Sequence, residues 1–147
     1  MSSEPFNRLF ADPALRQLVE GFEVGRGPGV FHHADHVRVA FAYVVQFPLI
    51  EAVARFSAAL KRFATAKGKP RLYHETITWA YLVLIRERWA RAGCVQTWDE
   101  FVRQNPDLLI WKDGVLAALY RRETLDSEFA RDHFVLPDKR QGLNPEA

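Results

Sequence analysis

Proline and glycine divide this chain at intervals that leave room for helices and for little else. Asp12-Pro13, Phe47-Pro48, Lys67-Gly68-Lys69-Pro70 and Gly93 each fall where an apolar pattern of helical spacing begins or ends. Asp12 reads as an N-cap with proline at the first helical position, which opens a first helix within residues 12–23. A second helix is predicted from about Ala34 to Gln46, and a third from Pro48 to about Ala66 with Gly68 as its stop. Joined so tightly, these two should pack antiparallel. The longest stretch, Leu72 to about Ala92, is expected to be the fourth helix and the centre of the core. Thr97 and Glu100 match a capping box that starts a shorter helix. Val115–Tyr120 and one turn after Ser127 complete the helical segments, and Phe134–Pro137 reads as extended. No alternating strand pattern or internal repeat is present. The expected fold is therefore all-α, a helical bundle of about five to six helices.

A length of 147 residues with 48% hydrophobic content suits one domain over residues 1–147, with a flexible tail over 139–147. The formal net charge of +2 is too small to demand nucleic acid or an anionic membrane as partner. A single cysteine, Cys94, leaves no intramolecular disulfide framework and points to a reducing cytoplasm. The stretch from Met1 to Phe6 has no basic region followed by an apolar run, and no apolar stretch of ~18 residues occurs, so neither secretion nor membrane spanning is expected. A small-molecule partner and a homo-oligomer are both compatible with this composition.

Three of the five histidines fall in Phe31-His32-His33-Ala34-Asp35-His36, at the mouth of the second helix. At ~100° per residue, His32 comes within ~40° of His36 and His33 within ~60°, so either pair can face one point. His36 begins the inward row His36, Ala40, Tyr43, Val44, Phe47. A helix N-terminus disfavours a protonated imidazole and leaves it able to bind a metal or accept a proton. Asp35 reads as a first-turn charge that can pair with Arg38.

A second polar island, Tyr73-His74-Glu75-Thr76-Ile77-Thr78, precedes the apolar run of the fourth helix. His74, Thr78, Tyr81 and Ile85 share a helical row that faces inward. If the second and fourth helices are neighbours, His36, His74 and one of His33 and His32 supply three imidazoles, enough for a divalent metal such as zinc or iron with an open coordination position. Glu75 would be a fourth ligand or a general base, Arg38 or Tyr73 would orient a polar or anionic ligand, and Tyr43, Thr78 and Tyr81 would line the pocket. Hydrolysis of a small molecule is the first reaction such a site suggests. The competing reading is a non-catalytic ligand-binding or interaction module, in which the same histidines complete a buried hydrogen-bond network with tyrosines, threonines or backbone carbonyls.

Known metal motifs match only in part. His74-Glu75-Thr76-Ile77-Thr78 has threonine where a zinc hydrolase carries its second histidine. No Glu-x-x-His pair of the diiron bundles occurs, and Asp35-His36 reverses the His-Asp order of HD-type phosphohydrolases. The strings His33-Ala34-Asp35-His36-Val37-Arg38 and Tyr73-His74-Glu75-Thr76-Ile77-Thr78, with Phe134-Val135-Leu136-Pro137-Asp138, resemble a family of small helical bacterial proteins across about residues 30 to 138. The resemblance implies a helical cytoplasmic protein with His33, His36, Arg38, Tyr73, His74, Glu75, Thr76 and Thr78 in motif positions, and it brings no substrate with it.

The remaining chemistry-bearing residues read as ordinary. Cys94 follows a helix end, where no dipole activates the thiol. The basic residues from Lys61 to Arg71 and from Arg86 to Arg91 are interrupted by acids and apolar residues, which suits solvated helix faces better than a nucleic-acid interface. Trp79, Trp89, Trp98 and Trp111 are expected in the core or in grooves. The loop Gly25–Gly29 lacks the Lys-Ser/Thr ending of a phosphate loop, and His133 is expected in solvent.

Overall fold

The computed structural model of the chain describes residues 12–27 and 31–139. It is an all-α domain with no strand among the described residues. The helices are α1 (Pro13–Glu23), α2 (His33–Gln46), α3 (Leu49–Ala66), α4 (Glu75–Arg91), α5 (Trp98–Gln104), α6 (Arg122–Leu125) and α7 (Glu128–Asp132). Short 3₁₀ turns lie at Pro70–Leu72, Pro106–Leu109 and Val115–Ala118. None of these helices is long and apolar enough to cross a membrane.

The expected caps form. The Asp12 carboxylate accepts from Ala14 N–H at 2.9 Å, and Thr97 and Glu100 exchange the two bonds of a capping box at 3.0 and 3.3 Å. Gly68, at φ +76°, and Gly93, at φ +97°, take the left-handed backbone that ends α3 and α4.

Two expectations about helices change. Helix α2, and not the longer α4, is the centre of the core. Every residue from Val39 to Gln46 is buried, because the run carries no charge and its alanines let neighbours approach from all sides. Its one amide, Gln46, is satisfied by donating to the carbonyls of Leu15 at 2.8 Å and Ala42 at 3.0 Å. Helix α4 is buried on one side through Leu82, Ile85 and Trp89 and leaves Val83, Glu87 and Arg91 outside. The fourth helix also starts later than expected. Gly68 and Pro70 turn the chain through a 3₁₀ turn, Tyr73 and His74 are extended, and α4 begins at Glu75 with His74 as its N-cap.

Helix α2 packs against α1, α3 and α4, and α4 packs in turn against α3 and α7. Arg55 of α3 grips Glu23 of α1 through two parallel hydrogen bonds at 2.8 and 2.9 Å, which holds the Glu23 carboxyl below its ordinary pKa. The segment Val115–Ala118 is a 3₁₀ turn and not the α-helix expected over Val115–Tyr120. At the C-terminal end, Lys139 is tied down: its N–H donates to the Leu119 carbonyl at 3.0 Å and its ammonium to the Ala117 carbonyl at 2.6 Å. The rest of the expected tail, residues 140–147, lies outside the described residues, as do residues 1–11 and 28–30.

Candidate functional site

A cavity of about 450 Å³ opens between α2, α3 and α4. Its wall includes His33, His36, Tyr73, His74, Thr78 and Tyr81, so the two polar islands of the sequence meet in one place. Aromatic rings cover much of the remaining wall: Phe31, Phe56, Phe63 and Trp111. Phe31 and Phe63 lie 4.9 Å apart, and both contact Phe22 of α1 at 5.4 and 5.7 Å between ring centres.

Each histidine of the wall has its own task. The His33 ring sits between Tyr81 and Trp111, 5.1 Å from each. Its Nε2 donates to the Leu108 carbonyl at 2.9 Å, which fixes the segment after α5 against α2. Burial pushes its pKa down, opposed by that hydrogen bond. His74 is held from both sides. Its Nδ1 accepts the Ile77 N–H at 3.1 Å as the N-cap of α4, so the proton must sit on Nε2, which donates to the Leu125 carbonyl at 2.8 Å. Burial is the first cause of its lowered pKa. Protonating Nδ1 would also destroy the cap.

His36 differs from both. Its ring lies 4.0 Å from that of Phe31, and it makes no hydrogen bond among the described residues. Burial, then the neighbouring His33, pushes its pKa down to about 4 against a smaller opposing pull from Asp35. His36 is thus a neutral imidazole facing the cavity at pH 7, with one N–H and one lone pair. The Tyr81 hydroxyl likewise makes no hydrogen bond among the described residues, and burial pushes its pKa up to about 12. The alternative between His32 and His33 resolves sterically: His32 is the exposed N-cap position of α2, and His33 is on the wall.

The other predicted residues stand elsewhere. Arg38 points away from the cavity and lines a separate groove of about 260 Å³ between α1 and α2, with Gln17, Gly21 and Arg26. Two positions after His36 on a helix is about 200° round, so the two side chains diverge. Asp35 does not reach toward Arg38; its carboxylate accepts the His32 N–H at 3.0 Å. Tyr43 is fully buried against Phe56 at 5.3 Å and Phe47 at 6.0 Å and takes no part in the wall. Glu75 lies behind the wall, where its carboxylate accepts the Tyr73 hydroxyl proton at 2.7 Å. Burial first, then this carboxylate among the nearby groups, keeps the Tyr73 phenol protonated well above the ordinary range.

These placements bear on metal chemistry. With both nitrogens of His74 used by the backbone and Nε2 of His33 used by Leu108, the three imidazoles do not present a common set of lone pairs. Among the described residues no three His, Cys, Asp or Glu side chains stand together in a way that could hold a metal ion.

Several further residues hold the segments around the site. Thr76, fully buried, accepts the Val135 N–H at 3.1 Å and directs its own proton at the carbonyls of Ala130 and His133, 2.7 and 2.8 Å away, pinning the chain after α7 to α4. Arg86, expected on a solvated face, donates to the Val44 and Phe47 carbonyls at 2.5 and 3.3 Å and caps the end of α2. Arg88 pairs with Asp107 at 2.7 and 2.9 Å. Arg131 lines the cavity and donates to the Arg71 carbonyl. His133 is exposed and stacks on Phe129 at 4.6 Å. Thr76 stood in the polar string Tyr73–Thr78; the pairings of Arg86, Arg88 and Arg131 had no local signal. Comparison with protein-family models, curated proteins and solved structures finds no match to this chain.

Proposed function

We propose that the chain is a small-molecule-binding module whose ligand is largely apolar and sits between α2, α3 and α4. The observation that carries this reading is a cavity of about 450 Å³ faced by aromatic rings inside a small helical domain. Protein interiors ordinarily close to the density of organic crystals, and a cleft of this volume with a few convergent polar groups is the common form of a ligand site. The histidines support it. His33 and His74 hold the wall by gripping backbone carbonyls of the segments that frame the cleft, while His36 and Tyr81 offer donor and acceptor groups to an occupant. A metal centre made of His33, His36 and His74 would first require His74 to give up its helix cap or its bond to Leu125.

The reading is tested by calorimetric titration of untagged protein with a neutral aromatic probe, naphthamide, beside an Ala64→Trp variant that fills the cleft. Ala64 is a buried wall residue of α3. Saturable binding of one probe per chain, lost in the filled variant while its circular dichroism stays helical, is the expected result. Non-saturable uptake, or equal uptake by the filled variant, overturns it.

A further inference from the structure

The polar groups of the cavity wall are of two kinds. His33, Tyr73 and His74 each give a proton to a partner within the domain: the Leu108 carbonyl, the Glu75 carboxylate and the Leu125 carbonyl. The Thr78 hydroxyl acts on the Tyr73 phenol. The His36 imidazole on α2 and the Tyr81 hydroxyl on α4 line the same cavity and make no hydrogen bond among the described residues. Charge does not favour an occupant of either sign. Lys67 and Arg131 lie on the wall, but both are engaged within the domain, Lys67 over the Phe63 ring and Arg131 on the carbonyls of Arg71 and Tyr73. Asp35, Asp107 and Asp126 act in turn on His36, Tyr81 and His74. With both signs acting on an apolar cleft, a charged occupant would give up its hydration without a dedicated counter-charge. The rings of Phe31, Phe63, Tyr81 and Trp111 supply surfaces that suit a planar aromatic body.

We propose that the ligand of this cavity is an uncharged phenol, with its ring among the wall aromatics and its hydroxyl donating to the imidazole of His36. The inference rests on the cleft being a ligand site, as proposed above, and adds the charge and the polar group of what it takes. A neutral imidazole presents one lone pair and one N–H. Its lone pair is a strong acceptor, and a phenol is a stronger donor than an aliphatic alcohol because the ring draws charge from the oxygen. An amide brings two N–H groups and a carbonyl, more than His36 alone can satisfy, and each unmet polar group in the cleft weakens binding. The Phe31 ring, 4.0 Å from that of His36, sets an aromatic surface beside the acceptor. The Tyr81 hydroxyl, on the α4 side, is a second donor for an acceptor elsewhere on the ligand.

Probes that share one ring system separate the terms: naphthol, methoxynaphthalene, naphthamide, naphthoate and naphthylmethylammonium, each titrated calorimetrically into the full chain at pH 7.5. Naphthol is expected to bind roughly five- to ten-fold more tightly than methoxynaphthalene, which has the same ring and no proton to give. Naphthamide and the two charged probes should also bind more weakly than naphthol. His36→Phe keeps a ring against Phe31 and removes the acceptor. In that variant naphthol and methoxynaphthalene should bind alike, with little change in the Kd of methoxynaphthalene and an unchanged helical circular dichroism. If the variant loses its helicity, the wild-type probe series decides by itself. Equal affinities for naphthol and methoxynaphthalene in the wild type, an undiminished difference in a folded His36→Phe, or tightest binding of a charged probe overturns the phenol assignment while the cleft remains a ligand site. Failure of all five to bind overturns both.

Discussion

His36 is the wall imidazole whose nitrogens make no hydrogen bond among the described residues. Its neutrality follows from burial, and neutrality has a cost that depends on pH. His33, His36 and His74 all hold their pKa below the unfolded value of about 6.5. The unfolded chain therefore binds more protons than the folded one below that value, so their contribution is intact above about pH 6.5 and is lost as the pH falls. For His36, whose folded pKa is about 4, the loss over that window amounts to about 3 kcal/mol. Urea midpoints measured at pH 7.5 and pH 5.0 should show about 2 kcal/mol of this loss, the rest coming as the pH falls to about 4, and His36→Leu should remove the largest single share of it. An unchanged drop in that variant would place the titration elsewhere.

At the scale of elements, the ends of helices decide the shape of the cleft. Helix α2 ends against Arg86, whose guanidinium takes up carbonyls that the helix itself cannot satisfy. Arg86→Leu keeps the apolar stem and removes the donors, and a loss of about 1–3 kcal/mol in chemical denaturation is expected. Gly114 matters for a different reason. A Cβ there would stand 2.0 Å from the Ile110 carbonyl oxygen, with backbone on that side and no flexible side chain to give way. Gly114→Ala should cost about 2 kcal/mol or more. Its effect should reach the cleft, because the strained stretch carries Trp111 and follows Leu108, the partner of His33. A variant with wild-type stability and probe affinity would show that the loop accommodates the methyl group.

For the whole molecule, the question between metal chemistry and ligand binding comes down to how the imidazoles are shared with the backbone. Elemental analysis of untagged protein, with His36→Ala and His74→Ala beside it, should find metal far below one ion per chain and equal in all three. Stoichiometric zinc or iron that disappears in both variants would establish the metal reading and require His74 to be rearranged when the ion is bound. The same sharing with the rest of the domain holds for three arginines. Arg55, Arg86 and Arg88 are engaged in ion pairs and caps within the domain.

The helical class, the stops at Gly68 and Gly93 and the capping box at Thr97 follow from local backbone physics and were legible in the chain. The inward direction of His36 was legible as well, but its meeting with His74 in one cleft depended on the second and fourth helices being neighbours, which α2 and α4 are. Local spacing could not show that His74 precedes α4 as its cap. That depends on Gly68 and Pro70 turning the chain before it, and Leu125, the carbonyl that receives its proton, is fifty-one residues away. Nor could it show that α2 takes the centre, that Arg86 faces inward, or that Trp111 closes the wall. A helix row records which residues share a side; which neighbour meets that side, and whether a polar atom there is already satisfied, is settled only when distant segments pack together.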